Sequence, residues 1–244
     1  MIEYIGKCLL IKDKTFRKIS TTPKEEKVLV VGDLHLGYEE SMNRSGVFVT
    51  REMYNEMIRE FDEIFLKVGK VDKVILLGDV KHAFSGNLKQ EWNDVLRLIK
   101  YLKEKCDELI ILKGNHDNYL VNIARKGEIE VVKEYFWNDI MFIHGDVDNI
   151  ELYDKKVKYW VMGHVHPAII ISDGSKMEKY KCFIIGKYKN KSVIVVPSFF
   201  SLVVGSDVRE GLNVPWEFNV NNFDVKIVGE NLEVLDFGKV EKIK

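Results

Sequence analysis

The chain has six histidines, and all six sit in short motifs that close an apolar run. These are Gly32-Asp33-Leu34-His35, Gly78-Asp79-Val80-Lys81-His82, Gly114-Asn115-His116-Asp117, His144-Gly145-Asp146 and Gly163-His164-Val165-His166. Carboxylates, imidazoles and an amide oxygen form a mixed oxygen/nitrogen donor set. It suits manganese, iron, zinc or nickel better than magnesium or calcium, and the lack of thiolates argues against a structural zinc site. Asp33, His35, Asp79, Asn115, His144, His164 and His166 are too many donors for one ion that must also take a substrate. They are enough for two ions sharing a carboxylate and a hydroxide, typically ~3.5–4 Å apart. The expectation is two divalent transition-metal ions per chain, manganese first, with iron, zinc or nickel as alternatives.

Taken singly, each motif has an ordinary explanation. Asp after Gly at a strand end is commonly a turn residue or helix cap, and Gly-Asn is a common turn dipeptide. A lone histidine is more often a satisfied, partly buried side chain than a ligand. Together the motifs reverse that weighting, because no histidine is left over for another role. In extended backbone, residues two apart project to one face, which would bring Asp33 with His35, and His164 with His166, to a single point.

The elements that must position these residues are legible as alternating patterns. Lys27–Gly32, Val74–Leu77 and Leu109–Leu112 read as buried strands, separated by amphipathic helices over Arg51–Val68 and Leu88–Lys105. This βαβαβ order implies a mostly parallel sheet covered by helices, with ligands gathered at the carboxyl ends of its strands. After Ile140 the apolar runs shorten and helical periodicity fades, so a second, strand-rich sheet is expected, packed face to face with the first. The whole of 1–244 is read as one domain, with an edge hairpin within 1–20 (Lys7–Ile19) and a strand-rich C-terminal extension of that domain over 197–244.

Net charge is −1, so no global positive field draws in nucleic acid. Cys8, Cys106 and Cys182 are unpaired in spacing and read as small buried hydrophobes rather than a disulfide framework. No apolar run approaches the ~20 residues needed to cross a bilayer, and Met1–Ile11 lacks a signal layout, so the expectation is a cytoplasmic chain without membrane contact. Neither Gly-x-Gly-x-x-Gly nor a Gly-x-x-x-x-Gly-Lys-Ser/Thr loop is present, which weighs against classical nucleotide binding.

The ordered set Asp-x-His, Gly-Asp-x-x-His, Gly-Asn-His-Asp, His-Gly and Gly-His-x-His resembles the calcineurin-like metallophosphoesterase superfamily, over Asp33 to His166. The resemblance implies an α/β, four-layer αββα sandwich: two mixed β-sheets flanked by helices, with a dinuclear site at the sheet ends. It further implies Asp33, His35 and His166 on one metal, Asn115, His144 and His164 on the other, and Asp79 between them. His116 matches the family's catalytic histidine, with Asp117 orienting it. At the fourth position of Gly-Asp-x-x-His, His82 stands where many members carry Asp or Asn. This is similar to the SbcD-type DNA repair nucleases, and within that branch to small archaeal relatives and DNA-ligase-associated phosphoesterases. The chain after Val196 departs from the larger nucleases.

The function expected is hydrolysis of phosphodiester bonds by a bridging hydroxide, with DNA as one candidate substrate. A small-molecule phosphatase or cyclic-nucleotide phosphodiesterase is the alternative, and an inactive scaffold is disfavoured because no ligand is missing. His82 would assist His116 or serve as support for a ligand. Arg44, in what reads as a loop over Tyr38–Thr50, is a candidate phosphate clamp or a solvated charge. Phe84 and Ser85 would line the same cleft. The basic run Lys187-Tyr188-Lys189-Asn190-Lys191 is either a nucleic-acid contact or a hairpin turn. Nothing in the sequence itself supports a homodimer or a repair-complex partner.

Overall fold

The computed structural model describes residues 1–15, 24–84 and 88–243. The first sheet contains β1 (Ile2–Ile5), β2 (Cys8–Thr15), β3 (Lys24–Val31), β4 (Val71–Leu76), β5 (Cys106–Leu112) and β6 (Val131–Val132), in that spatial order. β3 to β6 are parallel, and β1 and β2 add an antiparallel hairpin at the edge. Parallel neighbours need crossovers. Between β3 and β4 run α1 (Tyr38–Arg44) and α2 (Met53–Val68). Between β4 and β5 runs α3 (Lys89–Lys105), and α4 (Leu120–Lys126) follows β5.

The second sheet comprises β7 (Glu134–Trp137), β8 (Ile140–Ile143), β9 (Tyr159–Met162), β10 (Pro167–Ser172), β11 (Met177–Tyr188), β12 (Lys191–Val195), β13 (Ser206–Asp207), β14 (Asp224–Val228) and β15 (Val234–Lys239). β8, β9 and β12 are parallel, while β7, β10, β11, β14 and β15 bring antiparallel pairings. The protein is therefore a mixed α/β fold, with two mixed sheets and four α-helices among the described residues.

Alternation along the central strands explains why the sheets stack. Val28 and Val30, Ile75 and Leu77, and Ile110 and Leu112 face Ile140, Phe142, Val161 and Ile194 of the second sheet. Their neighbours Leu29, Val31, Val74, Leu76, Leu109 and Ile111 face the helices, meeting Phe61, Ile64, Leu98 and Leu102. Both faces are buried, so these strands read as continuous apolar runs. Burying each such side chain contributes about 1.5–3 kcal/mol. On its outer face the second sheet packs against Leu152, Trp216, Phe223 and Val240, from irregular and 3-10 segments.

Several local expectations shift. The edge hairpin spans Ile2–Thr15 and turns at Gly6-Lys7, earlier than Lys7–Ile19, and Phe16–Ile19 lie outside the described residues. The stretch after Gly37 is not a plain loop, because α1 forms there with Glu39 and Glu40 in its first turn and Arg44 in its last. That charge order complements the helix dipole. Buried Glu39 also accepts the Glu52 and Met53 backbone N–H groups, seating the start of α2. The three cysteines are buried and unpaired. Among the described residues no helix is long and apolar enough to cross a membrane.

Candidate metal centre

Parallel β3, β4 and β5 end on one edge of the first sheet, and parallel β8 and β9 end on the matching edge of the second. The five histidine motifs follow these five strands. Backbone bonds zip the loops together: Leu34 and His35 donate to the Asp79 carbonyl at 3.1 and 2.9 Å, and His82 donates to Leu36 at 2.8 Å. The carboxylates are held in turn. His164 N–H donates to both Asp33 oxygens at 3.1 Å, and His116 N–H donates to Asp79 Oδ1 at 2.9 Å.

The side chains converge on two adjoining groups. Asp33, His35 and His166 form one, with His35 Nε2 3.2 Å from His166 Nε2 and His166 Nε2 3.5 Å from Asp33 Oδ1. Asp79, His144 and His164 form the other, and Asn115 Oδ1 lies 3.0 Å from His144 Nε2. Asp79 Oδ2 sits between the groups, 3.8 Å from His35 Nε2 and 3.5 Å from His144 Nε2. His35, His82 and His116 form a third cluster on the cleft side. Room for this is made by glycine: a Cβ on Gly114 would lie 2.2 Å from Asp79 Oδ1, and one on Gly163 2.8 Å from Asp33 Oδ2.

The backbone here departs from the extended geometry read from the sequence. His35, Asp79, His164 and His166 have φ of 48°, 47°, 65° and 48°. Non-glycine residues adopt this left-handed conformation at a cost of about 1–2 kcal/mol each. The two-apart ligands thus meet because the chain turns sharply at the strand end, rather than because it continues straight.

Protonation follows from burial and charge. Burial disfavours the charged forms, yet His166, His144 and His35 hold Asp33 well below the usual carboxylate range. Asp79 is likewise lowered, against its burial, by the His144 hydrogen bond. Burial pushes His35 down to about 3 and, with the charge of His116, His82 to about 4; His164 is lowered the same way. His144 moves the other way: burial opposes its charge, but the Asp79 bond and the Asp33 and Asp79 charges raise it to about 9. Its Nδ1 lies 2.9 Å from the Leu77 carbonyl. Since a carbonyl only accepts, Nδ1 carries a proton, and Nε2 faces Asn115 Oδ1, Asp79 Oδ2 and His164 Nδ1.

Two buried carboxylates whose ion-pair partners among the described residues are all imidazoles, with no Lys or Arg in contact, fit a site for divalent cations. A family profile described as calcineurin-like phosphoesterase matches residues 26–147. The chain belongs to that family. A calcineurin-like phosphoesterase is a hydrolase of phosphoester bonds, and the Asp/His clusters suggest that this one binds divalent metals. Among solved structures it is similar to nuclease MPE of Pseudomonas putida, at 18% identity over 86% of this chain and 87% of that one, with a TM-score of 0.61. It also matches YfcE, a phosphoesterase from E. coli, at 12% identity over 85% and 95% of the two chains, with a TM-score of 0.46. Vps29 of Cryptosporidium parvum matches at 14% identity over 87% and 97%, with a TM-score of 0.40. No curated protein matches the chain.

Not every residue singled out in the sequence has the expected partner. Asp117 does not orient His116. Its carboxylate accepts the backbone N–H groups of Gly114, Lys81 and Val80 at 2.9, 3.2 and 3.4 Å, tying two ligand loops together, and burial beside Asp79 raises it to about 6. His116 is instead oriented by the His82 carbonyl, 2.7 Å from its Nδ1, and its ring stacks on that of His82 at 5.4 Å. Arg44 pairs with Glu40 at 3.1 Å and does not line the cleft. Lys189 packs over Tyr153 and Tyr188, and Lys191 is buried on the Asp154 and Val157 carbonyls, so the basic run is a hairpin turn between β11 and β12. Ser85 lies outside the described residues.

Two groups of contributors gave no signal in the sequence. Tyr38, Phe200 and Val203 wall the cleft, and Phe200 N–H donates to the Asp33 carbonyl at 3.0 Å. Lys81 and Glu91 are fully buried 3.7 Å apart beneath the His82 loop. Wall residues stand outside the metal-ligand motifs, and a lysine beside such a motif reads as solvated until its burial is seen.

Proposed function

We propose that this calcineurin-like phosphoesterase is a metal-dependent phosphodiesterase with a dinuclear centre. The observation that carries the diester reading is the cleft of about 260 Å³ over the ligand cluster. Its lining includes Tyr38, His82, His116, Phe200 and Val203 but, among the described residues, no Lys or Arg. Two divalent ions less the charges of Asp33, Asp79 and a hydroxide nucleophile would leave one net positive charge, which the single negative charge of a diester balances. A monoester dianion leaves a second charge facing aromatic and apolar walls, where an unpaired charge is costly.

In this reading Asp33, His35 and His166 hold one ion, Asn115, His144 and His164 hold the second, and Asp79 is shared. The position of Asp79 Oδ2 between His35 and His144 supports the sharing. The oxygen/nitrogen donor set favours manganese, with iron, zinc or nickel able to substitute. Bound there, divalent ions supply Lewis-acid polarisation of the phosphoryl group and activation of water. His116, with its Nδ1 proton fixed on the His82 carbonyl, turns its Nε2 to the cleft to stabilise or protonate the leaving oxygen. His82 acts through that carbonyl and its stacked ring, which makes it a positioning residue.

His82 in the Gly-Asp-x-x-His motif supports the SbcD-related, ligase-associated branch and a nucleic-acid substrate, and the Pseudomonas nuclease fold is compatible with it. Net charge of −1 favours a second reading, a short or cyclic nucleotide diester. The test compares bis(4-nitrophenyl) phosphate, 4-nitrophenyl phosphate, and single- and double-stranded DNA, with manganese and with chelator. Diester turnover that chelator abolishes is expected. Exclusive monoester turnover defeats the diester reading, and chelator-insensitive turnover defeats the metal mechanism.

A further inference from the structure

A second cavity, of about 520 Å³, opens beside the ligand cluster and shares Asn115 with the cleft above the metals. Phe84 stands where the two meet. Its ring meets that of His116 edge-on, at 5.5 Å and 84°, yet the residue is 57% exposed. Among the described residues, His116 is the one ring it meets. It is nonetheless held in place from below, because Lys81 donates to the Ala83 carbonyl and Glu91 accepts the Ala83 N–H at 3.0 Å.

We propose that this cavity seats the nucleoside esterified to the scissile phosphate, with Phe84 as the platform on which its base stacks. The proposal rests on the phosphodiesterase reading and adds the class of group that the site recognises. A flat apolar face next to the catalytic histidine suits an aromatic base, and a cavity of this size lies within the range of small-molecule pockets. The charge of its walls selects a neutral occupant over a free phosphate. Lys113 and Lys133 are outnumbered there by Glu134, Asp146 and Asp148. Lys113 and Lys133 make no ion pair among the described residues, and Asn118 adds a free amide to read the edge of a base.

The test uses two substrates with the same leaving group on the manganese-loaded protein: thymidine 5′-(4-nitrophenyl phosphate) and methyl 4-nitrophenyl phosphate. Wild-type protein is expected to prefer the thymidine ester in kcat/KM. Phe84→Ala should lower that preference by roughly fivefold or more through KM, the range set by base–aromatic stacking, and Phe84→Trp should retain it. In metal-free protein, saturation transfer from the protein to thymidine 5′-methylphosphate should appear in NMR and fade in Phe84→Ala. An unchanged preference and undiminished transfer in Phe84→Ala overturn the platform while diester turnover stands. Turnover of neither diester, with 4-nitrophenyl phosphate hydrolysed, brings down the phosphodiesterase reading itself.

Discussion

Removing one partner of the Lys81–Glu91 pair should destabilise the protein far more than removing both. The two side chains are fully buried, 3.7 Å apart. Glu91 also accepts the Ala83 and Leu88 N–H groups at 3.0 and 3.1 Å, so it ties Ala83 to the start of α3. Breaking a buried pair leaves an uncompensated charge, at a cost of about 3–5 kcal/mol. Lys81→Met keeps both Glu91 hydrogen bonds and should fall at the low end. Glu91→Gln loses one N–H acceptor as well, worth about 1–3 kcal/mol, and should fall at the high end. The double variant buries no charge but forfeits that bond and the Lys81 donation to the Ala83 carbonyl, each worth about 1 kcal/mol net, so its cost should be about 1–3 kcal/mol. For a chain of this size about 2–4 °C is lost per kcal/mol, so each single variant should melt roughly 6–20 °C lower and the double no more than about 12 °C lower. Urea unfolding gives the free energies and circular dichroism the melting points. Single variants within about 1 kcal/mol of wild type, or additive costs in the double, would refute the coupling.

Other perturbations reach the ligands directly. Loss of a group that merely orients a ligand costs roughly 10–100-fold, so Asp79→Asn, which alters the carboxylate proposed to be shared, should lower turnover by about a hundredfold or more. Near wild-type turnover would break the assignment. Gly114→Ala places a Cβ 2.2 Å from Asp79 Oδ1 and should weaken manganese binding in calorimetry, with an unchanged Kd counting against the close approach. Lys181, half-buried and bonded to Ser198 Oγ and the Val203 carbonyl at 2.7 Å, is lowered from 10.5 to about 7, by desolvation first and then by Lys7. Its folded pKa lies below its unfolded one, so the unfolded chain binds more protons between about pH 7 and 10.5. Wild-type stability relative to Lys181→Met should therefore rise with pH across that window and flatten below it. A difference independent of pH would contradict the shift.

The convergence of the candidate residues could be read from the sequence because metal chemistry admits few side chains, and a histidine confined to strand ends leaves a dense signal. The central strands were legible for a similar reason: Val28–Val31, Val74–Leu77 and Leu109–Leu112 are apolar on both faces. Their flanks were not, since Lys24–Lys27 and Cys106–Glu108 extend pairing through polar residues whose only reason to be extended is the neighbouring strand. The α1 helix escaped notice because a segment of this length shows too little periodicity and is fixed by the tertiary contacts of Glu39. The partner of His116 was equally hidden. Asp117 is adjacent in sequence, but the atom that orients the ring is the His82 backbone carbonyl, and no side-chain alphabet encodes that.

The left-handed backbone at His35, Asp79, His164 and His166 carries a lesson about how such a site decays. At each of these positions the fold asks for glycine or asparagine and selection for chemistry has supplied a bulkier donor. Wherever that selection lapses, drift towards the conformationally comfortable residue also strengthens the fold, so ligand loss is downhill. Descendants that kept the architecture for another use would be expected to shed these four donors before Asp33, His144 or Asn115, which sit on unstrained backbone. The order of loss among related chains would then record which side chains the scaffold tolerated and which it welcomed.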